Sequence, residues 1–119
     1  MSQPRKPPGL IGVVGPCTSG KSSLVRALAE AGFEARQISQ EHSFVPDMWL
    51  RITAPSVLVY LDVSYAQAQA RRPNNFSDVD HQRQFERLHH AREHAHYYLD
   101  TDPLTPEEVA RQALDFLGS

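Results

Sequence analysis

Gly15, Gly20, Lys21 and Ser22 stand in the order G-x-x-x-x-G-K-[ST], spelled Gly15-Pro16-Cys17-Thr18-Ser19-Gly20-Lys21-Ser22. That spacing suits a polyphosphate. Glycines permit backbone angles and close approaches that a Cβ obstructs. Successive amides then turn inward as an anion-binding concavity, and a helix opening at the end of the loop adds the positive end of its dipole. Lys21 is expected to reach the β- and γ-phosphates, and the Ser22 hydroxyl to ligate Mg²⁺. The expected phosphate-binding set is Gly15, Pro16, Cys17, Thr18, Ser19, Gly20, Lys21, Ser22 and Ser23. Cys17 lies near a helix N-terminus, a position that favours thiol reactivity. The plainer reading is a small residue at a variable loop position.

Further residues could complete a reaction centre. Asp62 closes an apolar run and is a candidate Mg²⁺ ligand beside Ser22. The segment from Glu41 to Arg51 mixes aromatic and charged residues directly after an expected strand. Within it Asp47 or Glu41 could act as a base, with Asp47 taken as the catalytic candidate, and Arg51 could hold an anionic group. The competing reading is that Phe44, Met48 and Trp49 simply cap the sheet edge. Arg72, or its neighbour Arg71, could neutralise a transferring phosphoryl group. Arg83, Arg87 and Arg92 are interleaved with Asp80, Glu86 and Glu93, which reads as a solvated helix face. His90 and His94 are four residues apart and could share a metal, yet no third ligand is evident from the sequence, so a polar surface helix is the preferred reading.

The elements that must position these groups follow from the apolar pattern. Leu10 to Val14 is a short, almost uninterrupted apolar run, as in a strand buried on both faces of a parallel sheet. The loop follows it directly. A helix is expected from Ser22 to Ala31, with Gly32 at its C-terminal cap. Phe33 to Ile38 reads as an edge strand, and residues 39–56 as a connection with a short helix near Asp47 to Ile52. Val57 to Leu61 is a second buried strand. A short helix over 65–72, a turn at Pro73-Asn74-Asn75 and a long polar helix from Asp78 to His96 come next. Tyr97 to Leu99 forms a brief strand ending at Asp100. Thr105-Pro106-Glu107-Glu108 then starts a last helix, with Thr at the N-cap and Pro at the first helical position.

Strands separated by helices predict βαβ units, and ligands in such sheets bind at the carboxyl ends of the strands. The expected fold is α/β, a three-layer α/β/α sandwich with a small, mostly parallel sheet. Residues 1–8 form an expected tail, and 9–119 one domain.

The bulk composition agrees with that. The chain has 119 residues, 40% of them hydrophobic, which suits one small core and excludes two domains. A net charge of -2 argues against a dedicated nucleic-acid surface and against whole-chain disorder. A single cysteine forms no internal disulfide, no apolar stretch approaches a membrane span, and a cytoplasmic location is expected.

Three segments resemble the P-loop NTPases, and within them the nucleoside/nucleotide/shikimate kinase-like group. LIGVVGPCTSGKSSLVRAL is similar to that group's first strand, loop and helix; VLVYLDVSYAQAQARR to its "L-D-V" strand and lid arginines; YYLDTDPLTPEEVARQALDFL to its last strand and C-terminal helix. The resemblance implies ATP and Mg²⁺ as cofactors, phosphoryl transfer to a small acceptor, lid arginines at Arg71 or Arg72, and an adenine near the residues after Asp100. The chain departs from the group between its second and "L-D-V" strands, where only residues 39–56 occupy the interval. Two readings stay open: a kinase-like phosphotransferase, and a nucleotide-responsive binding module without efficient catalysis. Self-association is left open.

Overall fold

The computed structural model of the chain describes residues 9–73 and 77–118. The expected N-terminal tail, and Asn74 and Asn75 of the expected turn, lie outside the described residues.

Among the described residues, four strands form one all-parallel sheet: β1 (Ile11–Val14), β2 (Ala35–Gln37), β3 (Val57–Asp62) and β4 (Tyr97–Asp100), in the spatial order β2-β1-β3-β4. β1 is buried along its whole length and lies between β2 and β3, with Ile11 opposite both Ala35 and Val57. Its uninterrupted apolar sequence is what a central parallel strand requires.

Among the described residues, five α-helices surround the sheet: α1 (Lys21–Glu30), α2 (Tyr65–Arg71), α3 (Asp78–Arg87), α4 (His89–His94) and α5 (Pro106–Gly118). Side chains alternate along each strand, so two apolar cores form on opposite faces. Ile11, Val13, Val59 and Leu61 pack with Leu24 and Leu28 of α1 and with Val109, Ala113 and Leu117 of α5. Val14, Leu58 and Tyr60 pack instead with Trp49, Leu88 and Ala91. Helices therefore cover both faces of an α/β fold, and none of those described is long and apolar enough to cross a membrane.

The helix starts show how local chemistry sets boundaries. Ser64 accepts from the Gln67 amide at the head of α2, and Ser77 and Asp80 form a reciprocal capping box on α3. Thr105 and Glu108 exchange the same pair of bonds at α5, as the sequence led one to expect.

Three segments differ from the sequence reading. The second strand is shorter, Ala35–Gln37, because its exposed Arg36 and Gln37 gain little by burial at an edge. The expected short helix in the connection is a single wide turn, Trp49–Thr53, in which the Ala54 amide donates to the Trp49 carbonyl at 3.0 Å and Ala54 turns left-handed at φ 45°. The long polar helix breaks at Leu88, whose amide bonds back to Gln84 and Phe85. Leu88 is fully buried and packs with Ala91 of α4 in the core that also holds Val14, Leu58 and Tyr60.

Candidate functional site

The loop between β1 and α1 depends on two glycines for different reasons. A Cβ on Gly15 would lie 2.1 Å from the Leu61 carbonyl oxygen, so β3 itself demands a glycine there. Gly20 has open space around it but takes φ 97°, and it is the N-cap of α1 without any side-chain cap bond. α1 also carries no acidic residue in its first turn. Where α2, α3 and α5 satisfy their first amides with Ser or Thr side chains, α1 leaves its positive end open to the loop.

Lys21 opens that helix and is buried. Its ammonium donates to the carbonyls of Gly15 at 2.8 Å and Pro16 at 3.0 Å, and pairs with Glu41 Oε2 at 2.9 Å. Three N–H groups thus meet three acceptors. The Glu41 side chain is only 4% exposed, and its other oxygen, Oε1, has no hydrogen-bond partner among the described residues. Thr18 Oγ1 and Ser19 Oγ are likewise buried and have no partner among the described residues. Three orphan oxygens around one loop are unusual, since buried polar groups are normally satisfied.

Glu41 reaches Lys21 because Gln40 anchors the connecting segment. The Gln40 amide donates to the Val45 carbonyl at 2.8 Å and to the Arg87 carbonyl at 3.3 Å, and its oxygen accepts from the Trp49 amide at 2.8 Å. Gln84 of α3 acts on the loop itself. Its oxygen accepts from the Cys17 amide at 3.0 Å, and its nitrogen donates to Cys17 Sγ at 3.2 Å. The Cys17 amide is therefore turned to α3 and not to the concavity. His42, beside Glu41, brings Nε2 to 3.8 Å from Cys17 Sγ and 3.8 Å from Glu41 Oε2.

Two spaces adjoin the loop. An open cleft of about 530 Å³ is lined by Cys17, Lys21, Ser22, Glu41, His42, Arg71 and Arg72, among others. A more enclosed cavity of about 200 Å³ lies between Arg71 and the start of α5, walled by Ser23, Leu24, Leu104, Pro106 and Val109. Arg71 divides them. Its guanidinium donates to the Thr18 carbonyl at 2.9 Å, to Thr101 Oγ1 at 3.1 Å and to the Thr101 carbonyl.

Of the residues singled out from the sequence, Gly15 to Ser22, Arg71 and Glu41 come together here, and Ser23 lines the smaller cavity. Arg72 reaches the cleft but is exposed, while Arg71 is the arginine locked to the loop. Asp47 does not line the cleft. It pairs with Arg51 at 2.8 Å, and that guanidinium bond holds its carboxyl below the usual range. Asp62 also faces elsewhere: its carboxylate accepts from the Val63 amide at 2.9 Å and from the Tyr98 hydroxyl, in a separate hollow shared with Ser64 and Asp102. Burial first, and this bond second, push the Tyr98 phenol upward.

Two histidines of the 81–96 segment bond to the fold itself. His90 Nδ1 accepts from the Trp49 indole at 3.0 Å, and His96 Nδ1 accepts from the Leu58 amide at 2.9 Å. Gln40 and Gln84 went unnoticed in the sequence. Gln84 had a signal, for it lies four residues before Leu88 and seven before Ala91, an inward-facing stripe. No protein-family model matches the chain, and no curated protein matches it either.

Proposed function

We propose that the chain binds a nucleoside triphosphate with Mg²⁺ as a P-loop protein of the kinase-like type, and that it transfers a phosphoryl group to a small acceptor. The observation that carries this reading is the buried Lys21 ammonium at the uncapped start of α1, beside three buried oxygens without partners. An anion in the cleft would engage the free amides of α1 and take Lys21 from one of its carbonyls.

The residues present fit the cofactor. Ser22 is exposed on the cleft and offers its hydroxyl to Mg²⁺, and the flat Arg71 guanidinium with the apolar walls of the smaller cavity suits a heterocyclic base. Mg-ATP supplies the phosphoryl group when bound. Lys21 and the loop amides then stabilise charge, and Arg72 stands at the rim where it can close over the cleft. The base assigned to Asp47 from the sequence is better given to Glu41, whose carboxylate faces Lys21.

A second reading draws on residues 44–52. Phe44 is 85% and Ile52 77% exposed, with Val45 and Leu50 also exposed beside them. Such a surface suits a nucleotide-responsive module that engages a partner. Calorimetric titration with ATP, ADP and GTP, with and without Mg²⁺, tests the shared premise. ATP consumption stimulated by one added nucleoside, nucleotide or small alcohol supports the kinase. Tight binding without stimulated turnover supports the module, and absence of binding overturns both.

A further inference from the structure

The mouth of the loop gathers three metal-ligating side chains, one of which, Glu41, is also the base of the proposed reaction. Cys17, Glu41 and His42 each bring one ligand atom to within 4.8 Å of the others. Two donors on a tetrahedral Zn²⁺, at about 2.0 to 2.3 Å from the ion, lie about 3.5 Å apart. The Cys17 Sγ to His42 Nε2 and His42 Nε2 to Glu41 Oε2 separations, both 3.8 Å, are a few tenths of an ångström wider than that. The third side, from Cys17 to Glu41, is no longer than 4.8 Å, so closing the triangle takes at most about 1.3 Å along that side.

A second observation points to a ligand here. The Glu41 side chain is 96% buried by its 4% exposure, yet Oε1 has no hydrogen-bond partner among the described residues. Oε2, the oxygen nearest His42, is already held by Lys21, so Oε1 is the free acceptor, and an acceptor kept dry and unused costs free energy unless something enters to meet it. The surroundings are those of ligands held from behind. Gln84 donates to the sulfur at 3.2 Å, and Lys21 orients the carboxylate at 2.9 Å. A thiolate, an imidazole and a carboxylate form a mixed set of borderline softness, which favours Zn²⁺ over Mg²⁺.

We infer that Cys17, His42 and Glu41 form a Zn²⁺ site at the edge of the cleft, with a fourth position left for water or an anion. Binding replaces the Cys17 S–H bond by a metal–sulfur bond and releases that proton to solvent. The thiolate and carboxylate together cancel the charge of the ion, and the Lys21 ammonium beside the carboxylate leaves one positive charge that favours an anion at the fourth position. On the reading of Glu41 as the acceptor's base, metal and acceptor exclude one another.

Titration of the full chain with Co²⁺ as a spectroscopic substitute, without nucleotide, tests the site independently of phosphoryl transfer. Cys17 is the sole cysteine, so a thiolate-to-cobalt charge-transfer band reports this position alone. The expected band saturates at one equivalent, disappears on adding excess Zn²⁺, and is absent in Cys17→Ser. His42→Ala weakens Co²⁺ binding tenfold or more. His90→Gln/His94→Gln retains the band, separating the site from the histidines of α4. No band, saturation at half an equivalent, or unchanged affinity in His42→Ala would overturn the proposal. Circular dichroism of each variant shows that the fold is intact.

Discussion

Lys21 Nζ lies 2.9 Å from Glu41 Oε2, and both side chains are withdrawn from solvent. The pair joins the start of α1 to the segment after β2, across the cleft where the chemistry is proposed. Removing one partner leaves the other as an uncompensated buried charge, at a cost of about 3 to 5 kcal/mol. Lys21→Met and Glu41→Leu should each destabilise the chain by about that much, while the double variant loses less than the sum of the two single losses. Urea unfolding of the four proteins measures the coupling, and strict additivity would show that the two charges do not depend on each other.

Glu41→Gln separates binding from turnover. The substitution keeps the shape and removes a negative charge that competes with phosphate for Lys21. ATP affinity should rise roughly five- to tenfold, as expected for a charge neutralised at short range. Turnover with any productive acceptor should fall by about 10²-fold or more if the carboxylate takes the acceptor's proton. Calorimetry and a coupled assay read the two quantities separately.

Adjacent arginines are expected to behave differently. Arg71→Met strips donors from the Thr18 and Thr101 carbonyls and should cost about 2 kcal/mol of stability. Arg72→Ala, at an exposed position, should change stability by no more than about 0.5 kcal/mol and act only on turnover. Thermal melts of both variants, alongside ATP titration, test the contrast.

The two loop glycines differ in the same testable way. Gly15→Ala drives a methyl group against the Leu61 carbonyl and should cost about 3 kcal/mol or more. Gly20→Ala meets no atom and bears only the left-handed backbone, at a cost of about 1 kcal/mol. A larger loss for Gly20→Ala in urea melts would contradict this account of the loop.

Acid sensitivity should arise partly at helix starts. The Asp80 carboxyl is held below 3.8 by the Ser77 backbone and side-chain bonds, and the Glu108 carboxyl below 4.5 by those of Thr105. Carboxyls lowered in the folded state add stability that is full above the unfolded value and lost as pH falls through the folded one. The urea midpoint should therefore drop below about pH 4, and Asp80→Asn with Glu108→Gln should flatten that slope.

The parts of this molecule legible in the sequence are those governed by local chemistry. Ile11 to Val14 and Val57 to Leu61 announce buried parallel strands because no polar residue interrupts them, and Thr105 announces α5 through its cap. The loop was legible by spacing. What escaped depends on contacts far apart in the chain. The helix break is set by the burial of Leu88 under the sheet, which the polar run around it conceals. Asp47 and Glu41 are equivalent as acids in sequence, and only the anchoring of Gln40 decides which one meets Lys21. Arg71 and Arg72 are likewise separated only by the end of α2.

The all-parallel order of the sheet carries a consequence for how the chain reaches this state. No strand pairs through a tight hairpin: Ile11 must find Val57, and Val59 must find Tyr97, each across a long intervening segment. Such closures are entropically expensive before their contacts reward them, and they slow folding. Until β1 and β4 dock on either side, Val57 to Leu61 is an unpaired apolar segment of high β-propensity. Aggregation during refolding should therefore begin there, and charges placed on that strand would relieve it only by sacrificing the centre of the fold.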